Sequence, residues 1–269
     1  MIRTVHGLVA GMVQPQPLLK SPAAFEAAGI LHSLLYTAGR PGAGVAPSPG
    51  IGGAALASYA GQIPHTDPVG LGNQAYLALL EARASVAGTL IVADRLWHNS
   101  GITVTTTTAQ NVNSVAFPAR DRLGAVDGDG ILVAIEVSTA TTNAGAITNT
   151  VMSYTNSAGQ AGRTATIPSF PATAVAGTFV PFLLQAGDLG VRSIQSITLG
   201  TSYGGGAIHL VAYRELGSVG VPVPAVNVKA GFADLGFPRL FDGTTPFLLW
   251  VPSGTGAASI SGTYLESQG

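Results

Sequence analysis

The sequence predicts a mainly β protein: an antiparallel β-sandwich of the jelly-roll type, with an extended N-terminal arm and two short helices. Beyond Gly101, short stretches rich in β-branched and aromatic residues recur at intervals of about 10–20 residues. Turn signals such as Asp127-Gly-Asp-Gly and Tyr203-Gly-Gly-Gly separate them. Because no helical pattern lies between these stretches, antiparallel pairing is favoured, and with it a sandwich.

The first predicted element is a short helix in the N-terminal part of the chain. Pro15 and Pro17 enforce extended backbone before it. Ser21 and Pro22 suit the N-cap and the first helical position, and Gly39 suits the end of the helix. The apolar residues on its expected inner face are Phe25, Ala28, Leu31, Leu34 and Leu35.

Residues 40–72 are rich in proline, glycine and alanine, and the five prolines among them disfavour regular structure. An irregular segment of about 30 residues is unusual inside a compact domain. The segment is nevertheless more apolar than a solvated linker. We therefore expect an arm that lies across another surface.

A second helix is predicted for residues 73–87. Leu77, Leu80 and Ala84 form one stripe at helical spacing, and Gly88 suits the end of the helix. A short buried strand is predicted directly after it, at residues 89–93.

The remaining predicted elements are strands, followed by a proline-rich tail. The strands of the β body are 102–108, 114–117, 131–137, 148–154, 163–167, 178–184, 194–199 and 208–213, and those of the tail are 247–251 and 259–264. The predicted organisation is an arm with a short helix (1–72), a β-sandwich body with a leading helix (73–216) and a C-terminal segment that packs on or completes the body (217–269).

The charge content favours assembly over a free monomer. Only 9% of the residues are Asp, Glu, Lys or Arg, against about 25% in ordinary soluble domains. Such a surface is poorly protected against self-association, so we expect other subunits to cover much of it. The net charge of −1 provides no attraction to nucleic acid or to anionic membranes. The absence of cysteine excludes disulfides, thiol nucleophiles and Cys-based metal sites.

The stretch Asp94-Arg-Leu-Trp-His-Asn-Ser-Gly101 concentrates the side chains that an active site uses. Asp94 and His98 permit an acid-oriented imidazole, with Ser100 as a possible nucleophile. Convergence of the three is unsupported where a strand passes into a turn. The favoured interpretation is a hinge before the β body, pinned by Trp97 in the core, whose polar residues close a turn.

No other pattern predicts a catalytic, cofactor or metal site. Asp127-Gly-Asp-Gly followed by Glu136 matches the second half of a calcium loop, but Ala125 occupies the first ligand position. An Asp-Gly turn explains the same residues. The five histidines lack metal-ligand spacing, and the glycine clusters lack the context of phosphate or dinucleotide loops.

Several motifs spread over most of the chain belong together. They are Leu31-His-Ser-Leu-Leu-Tyr, Gly39-Arg-Pro-Gly-Ala-Gly, Pro47-Ser-Pro-Gly, Ser58-Tyr-Ala-Gly-Gln-Ile-Pro, Asp94-Arg-Leu-Trp-His-Asn-Ser-Gly, Ser153-Tyr-Thr-Asn-Ser, Gly162-Arg-Thr-Ala-Thr, Gly200-Thr-Ser-Tyr-Gly, Phe237-Pro-Arg-Leu-Phe-Asp and Phe247-Leu-Leu-Trp. In these motifs the chain resembles a family of tailed-bacteriophage virion structural proteins. The resemblance implies a place on the particle, assembled in the bacterial host cytoplasm, and no catalytic residues.

The expected function is that of a non-enzymatic capsid decoration or cement protein. Its expected partners are further copies of itself and other virion proteins, chiefly the major capsid protein, with no cofactor, nucleic acid or membrane. The expected contact anchors are Arg40, Tyr59, Trp97 and Trp250. The alternatives are a tail, neck or baseplate component, a carbohydrate-binding module for host attachment, and an enzyme built on Asp94 and His98.

Overall fold

The computed structural model describes residues 4–22, 27–70 and 72–269. It confirms a mainly β protein with antiparallel sheets, and the two short helices in these residues are not the two that the sequence predicts. The strands form a closed six-stranded barrel and a half-barrel in place of a clear jelly-roll sandwich. Register shifts in several long strands, for example between Ala207 and Ile208 and between Leu265 and Glu266, increase local twist. Strongly twisted strands favour closure over flat layers.

Most of the regular elements in these residues are strands. The helices are α1 (Val5–Ala10) and α2 (Phe232–Leu235), and the strands are β1 (Gln16–Lys20), β2 (Leu31–Ser33), β3 (Gly39–Arg40), β4 (Ala54–Ala55), β5 (Ala75–Ala84), β6 (Gly88–His98), β7 (Gln110–Asn111), β8 (Leu132–Thr139), β9 (Thr150–Asn156), β10 (Arg163–Ile167), β11 (Thr178–Pro181), β12 (Val191–Thr198), β13 (Ala207–Val221), β14 (Val228–Gly231), β15 (Arg239–Leu240), β16 (Pro246–Pro252) and β17 (Ile260–Gln268). None of the helices in these described ranges is long and apolar enough to cross a membrane.

The chain divides into two compact units. The first comprises Met1–Val45, Ala57–Asp94 and Glu215–Gly269. In it, β17 pairs with β1 on one side and with β5 on the other, and β16 pairs with β2 and β6. Its core includes Leu77, Leu80, Leu90, Val92, Leu248, Trp250 and Tyr264.

The second unit comprises Ala46–Leu56 and Arg95–Arg214. Here β9 pairs with β10 and β12, and β8 pairs with β11 and β13. Its core includes Trp97, Phe117, Ile135, Tyr154, Phe170, Ile194, Tyr203 and Leu210. The domain boundaries expected from the sequence stay a prediction.

The predicted second helix, residues 73–87, is wrong: this stretch contains strand β5. Ala, Leu, Glu and Arg favour helix in isolation. In the folded chain, β17 pairs along β5 on one side, and β14 and β15 also pair with it. Burial in β5 largely alternates along the strand, as it does when one face of a sheet is covered. Tertiary pairing therefore overrides local propensity here.

The predicted first helix is also wrong over the residues that can be compared. Leu31–Ser33 is strand β2, which pairs with β16, and Leu34 continues this contact by donating its N–H to the Leu248 carbonyl (2.9 Å). Phe25, expected on the inner face of that helix, lies outside the described residues. A helix that the sequence analysis did not predict, α1, begins after Thr4, whose hydroxyl accepts from Gly7 N–H (3.0 Å).

Most strands expected beyond residue 130 are confirmed, but two expected before it are wrong. Residues 102–108 form turns and irregular backbone. The Gln110 side chain bonds both the N–H and the carbonyl of Thr103, at 2.8 and 3.0 Å, as a neighbouring strand would do. In residues 114–117, Ser114 N–H donates to Ile194 and Val115 N–H donates to Gly52, so the bonds go to different segments and form no continuous ladder.

Candidate functional site

Most of the stretch from Asp94 to Gly101 is strand and not the turn that the sequence predicts. Residues up to His98 belong to strand β6, and Asp94, Arg95, Trp97 and Asn99 are fully buried. The predicted turn is therefore wrong for Arg95 and His98, which lie within strand β6. Because buried polar groups require partners, each of them has to be bonded within the fold.

A buried ion pair is the centre of this site. The Arg95 guanidinium donates to both carboxylate oxygens of Glu136, at 3.0 and 2.7 Å, and neither side chain is exposed to solvent. This fork-to-fork geometry is the strongest form of a charged hydrogen bond between side chains. Strand β6 supplies the arginine and β8 the glutamate, so the pair joins two strands through residues that are 41 positions apart in sequence.

Two histidines adjoin the pair, and the hydrogen bond from Arg95 defines the tautomer of one of them. His98 Nδ1 accepts from Arg95 Nε (3.1 Å), so its proton lies on Nε2. His209 Nδ1 donates to the Asn99 carbonyl (2.9 Å), and its Nε2 forms a hydrogen bond of 2.7 Å with the Ser138 hydroxyl. His98, which accepts from Arg95, is thus neutral in this arrangement.

The environment disfavours charge on both rings. Burial first, and the positive charge of Arg95 second, lower the pKa of His98 to about 3, although Glu136 acts in the opposite direction. Burial also lowers the pKa of His209, against the influence of Glu136 and of the Asn99 carbonyl. We call this cluster of Arg95, Glu136, His98, His209 and Ser138 the buried polar network. Its geometry suits a fixed structural connection, since every hydrogen bond described joins groups within the fold.

The network predicts a loss of stability in acid. The pKa of His98 is lower in the folded chain than in the unfolded chain, where it is about 6.5. The unfolded state therefore binds more protons between about pH 6.5 and 3, and stability falls as the pH falls through this window, by up to about 1.4 kcal/mol per pH unit. Urea unfolding at several pH values between 7 and 4 measures this loss of stability. The pH dependence of the free energy of unfolding should be weaker in His98→Gln and unchanged in His6→Gln, which replaces an exposed histidine.

The acid–base–nucleophile arrangement considered for Asp94, His98 and Ser100 does not form from their described hydrogen bonds. Asp94 accepts from Thr245 N–H (2.9 Å), and Ser100 Oγ accepts from Gly50 N–H (2.8 Å). His98 accepts from Arg95 instead. Glu136 and His209, which complete the network, come from distant strands; their only sequence signal is a polar residue inside an otherwise apolar strand pattern.

The acidic side chains of the calcium-like pattern lie close to arginines. Asp129 binds Arg122 (2.5 Å), Asp127 lies 3.7 Å from Arg192, and Glu136 binds Arg95. Among the described residues, no three His, Asp or Glu side chains are grouped so that they could hold a metal ion. The Asp-Gly turn is present, with Gly128 and Gly130 at positive φ.

The four expected contact anchors lie in different environments. Trp97 and Trp250 are fully buried in the cores of their own units, which leaves a partner subunit no part of either indole. Arg40 is exposed, and Tyr59 is half-buried with its hydroxyl donating to the Val45 carbonyl (2.6 Å). A contact role thus stays a prediction for Arg40 and Tyr59, and the two tryptophans are corrected to core residues.

Two small open clefts lie away from the network. One, of about 220 Å³, is lined by Arg83, Ala84, Ser85, Ala225, Ser259 and Ser261. The other, of about 280 Å³, is lined by Ser114, Ala116, Phe117, Val126, Arg192 and Ser193. Both are smaller than the clefts of about 300–1,000 Å³ that usually bind small molecules.

Comparisons with known proteins assign no family. No protein-family model and no curated protein matches the chain. A solved structure of the infectious bursal disease virus Gt strain matches at 10% identity over 96% of this chain and 81% of that chain, with a TM-score of 0.20. A second, of the T13 IBDV viral particle, matches at 11% identity over 95% of this chain and 39% of that chain, with a TM-score of 0.12. At such low TM-scores neither likeness assigns a fold or a function.

Proposed function

We propose that this chain is a non-enzymatic structural component of a tailed-bacteriophage virion, and specifically a capsid decoration or cement protein. The observation that carries the proposal is the small number of charges left at the surface. Of the 25 charged side chains in the sequence, eight are buried: Lys20, Asp94, Arg95, Arg120, Asp121, Glu136, Arg214 and Glu266. At most 17 then remain for an accessible surface of 10760 Å². A surface so poor in charge suits contact with other subunits.

Exposed apolar side chains support the same proposal. Leu123, Leu189 and Val69 are 68%, 69% and 87% exposed, and several other large apolar residues are at least 40% exposed. Single exposed apolar residues are ordinary on any protein. Together with so few charges, however, they provide contact area that neighbouring subunits could bury.

The resemblance to tailed-phage virion proteins supports a location on the virus particle. In this proposal the partners are further copies of the chain and the major capsid protein, and the protein joins the particle in the host cytoplasm. A tail, neck or baseplate position shares the same surface properties and remains the alternative within this class. The chemistry of the buried polar network supports a role without catalysis, since its hydrogen-bonding groups are used within the fold.

The proposal predicts self-association of the isolated chain. Sedimentation velocity at about 1–100 µM should show a discrete oligomer whose share grows with concentration. Because the contacts would be mainly apolar, raising the salt concentration should leave the association intact or strengthen it, whereas association through ion pairs would weaken. A chain that stays monomeric over this range, at low and high salt, would count against an assembly role.

A further inference from the structure

A short segment of irregular backbone, residues 63–67, is bound to strands β16 and β17 and to the loop before β16 by contacts at four of its five residues. We call it the clamp segment. Ile63 N–H donates to the Pro246 carbonyl of β16 (2.7 Å), and the Thr66 carbonyl accepts from the Gln268 side chain of β17 (2.6 Å). The remaining two contacts are made by His65 and Asp67.

His65 lies between two carboxylates. Its Nδ1 is 2.9 Å from Glu266 Oε2 and 3.0 Å from Oε1, and its Nε2 is 3.4 Å from Asp67 Oδ1. The imidazole is 2% exposed and the Glu266 side chain 3% exposed. Asp67 Oδ1 also accepts from Gly243 N–H (2.7 Å), so the same carboxylate joins the clamp segment to the loop before β16.

The proton on His65 Nε2 decides whether the imidazole attracts both carboxylates, those of Glu266 and Asp67. When His65 carries both protons, Nδ1 donates to Glu266 and the positive ring lies within 3.4 Å of Asp67, to which Nε2 makes no hydrogen bond, so one cation lies between two anions. When His65 is neutral with its proton on Nδ1, the Nε2 lone pair faces the Asp67 carboxylate, and buried Glu266 loses its positive partner. Glu266 then keeps its hydrogen bonds from His65 Nδ1 and Tyr264, but a buried carboxylate without a positive partner is unfavourable.

We propose that protonation of His65 fastens the clamp segment to β16 and β17, and that loss of this proton releases it. The groups that face the imidazole act together. Burial alone lowers the pKa of His65, but the hydrogen bond and charge of Glu266, the charge of Asp67 and the Phe241 carbonyl outweigh burial and raise it above its ordinary value. Tyr264 donates to Glu266 Oε1 (2.8 Å) and holds this carboxylate in place.

The direction of the pH effect follows from this shift. Because the folded pKa of His65 is raised, the contribution to holding the segment is complete below the unfolded value of about 6.5 and is lost as the pH rises through the folded value. Opening of the segment should therefore become easier in mildly alkaline solution, by about tenfold for each pKa unit of elevation.

Hydrogen exchange of the Ile63 amide tests the proposal, because this amide is bonded only while the segment is closed. Its protection factor, corrected for the intrinsic exchange rate at each pH, should fall between pH 6 and 9. In Asp67→Asn, an exposed position where Oδ1 can still accept from Gly243, the fall should shift to lower pH. In His65→Gln the amide should exchange rapidly at every pH, and His6→Gln should behave as the unmodified chain.

The proposal is overturned if Ile63 protection is constant from pH 6 to 9, or if its pH dependence persists in His65→Gln. Should His65→Gln fail to fold, Asp67→Asn still decides the matter, since an unmoved midpoint in that variant contradicts the proposed role of the two carboxylates. An NMR titration of His65 supplies the second readout: its midpoint should lie above 6.5 and move downwards in Asp67→Asn.

Discussion

Replacing Glu136 by glutamine is expected to lower the free energy of unfolding by about 3–5 kcal/mol. The substitution keeps the size of the side chain but removes its charge. Arg95 would then remain fully buried as an uncompensated cation. Neither His98 nor His209 can offset this charge, because an imidazole is either neutral or positive. Urea unfolding at pH 7, monitored by tryptophan fluorescence, measures the effect.

Two further variants separate the buried charge from the loss of contacts. The double replacement Arg95→Met with Glu136→Leu removes both charges and should recover much of the stability, because no unpaired charge remains. Asp129→Asn is the matched control at the surface: its partner Arg122 is 64% exposed, so the loss should stay below about 1 kcal/mol. A double variant no more stable than Glu136→Gln would show that the charge is not the cause.

Replacing Trp97 by alanine is expected to destabilise the chain by about 3–5 kcal/mol through loss of packing. The indole packs against Phe117, with ring centroids 5.6 Å apart, and its Nε1 donates to the Gly52 carbonyl (3.3 Å). The backbone also fits closely around it, since a Cβ at Gly53 would lie 2.3 Å from the ring. The same urea experiment, followed by circular dichroism, measures the loss.

This variant also distinguishes a core residue from a contact anchor. An anchor could be removed without changing the stability of the isolated chain, and only assembly would suffer. Val69→Ala is the control, because Val69 is 87% exposed and its truncation should change stability by about 0.5 kcal/mol or less. Unaltered stability of Trp97→Ala would contradict the core position described above.

The strands that were predicted correctly carry their signal within their own residues. Residues 163–167 alternate polar and apolar side chains between glycine-containing turns, and strand β10 has the same bounds. Strand β5 could not be predicted in this way, because its residues favour helix and only pairing with β14, β15 and β17 makes it a strand. The strand predicted for the threonine-rich run after Gly101 was wrong for the opposite reason. Its residues favour strand, but without a partner strand they form turns.

The candidate sites depend on contacts between residues distant in sequence. Arg95 and Glu136 were both visible as charged residues near apolar strands, yet nothing in the sequence indicates that they bind each other. His65 and Glu266 are 201 residues apart and meet only through the path of an irregular segment. The position of Trp97 in the core was correctly inferred in the hinge interpretation, but its separate assignment as a contact anchor conflicts with its complete burial.

A reconstruction of the intact virion tests the proposed function most directly. We expect density matching this chain in many copies at equivalent sites on the capsid shell, in contact with the major capsid protein. Density only in the neck, tail or baseplate would retain a virion role but contradict decoration of the shell. Complete absence of the chain from purified particles, checked by mass spectrometry of the same sample, would contradict the proposed virion role altogether.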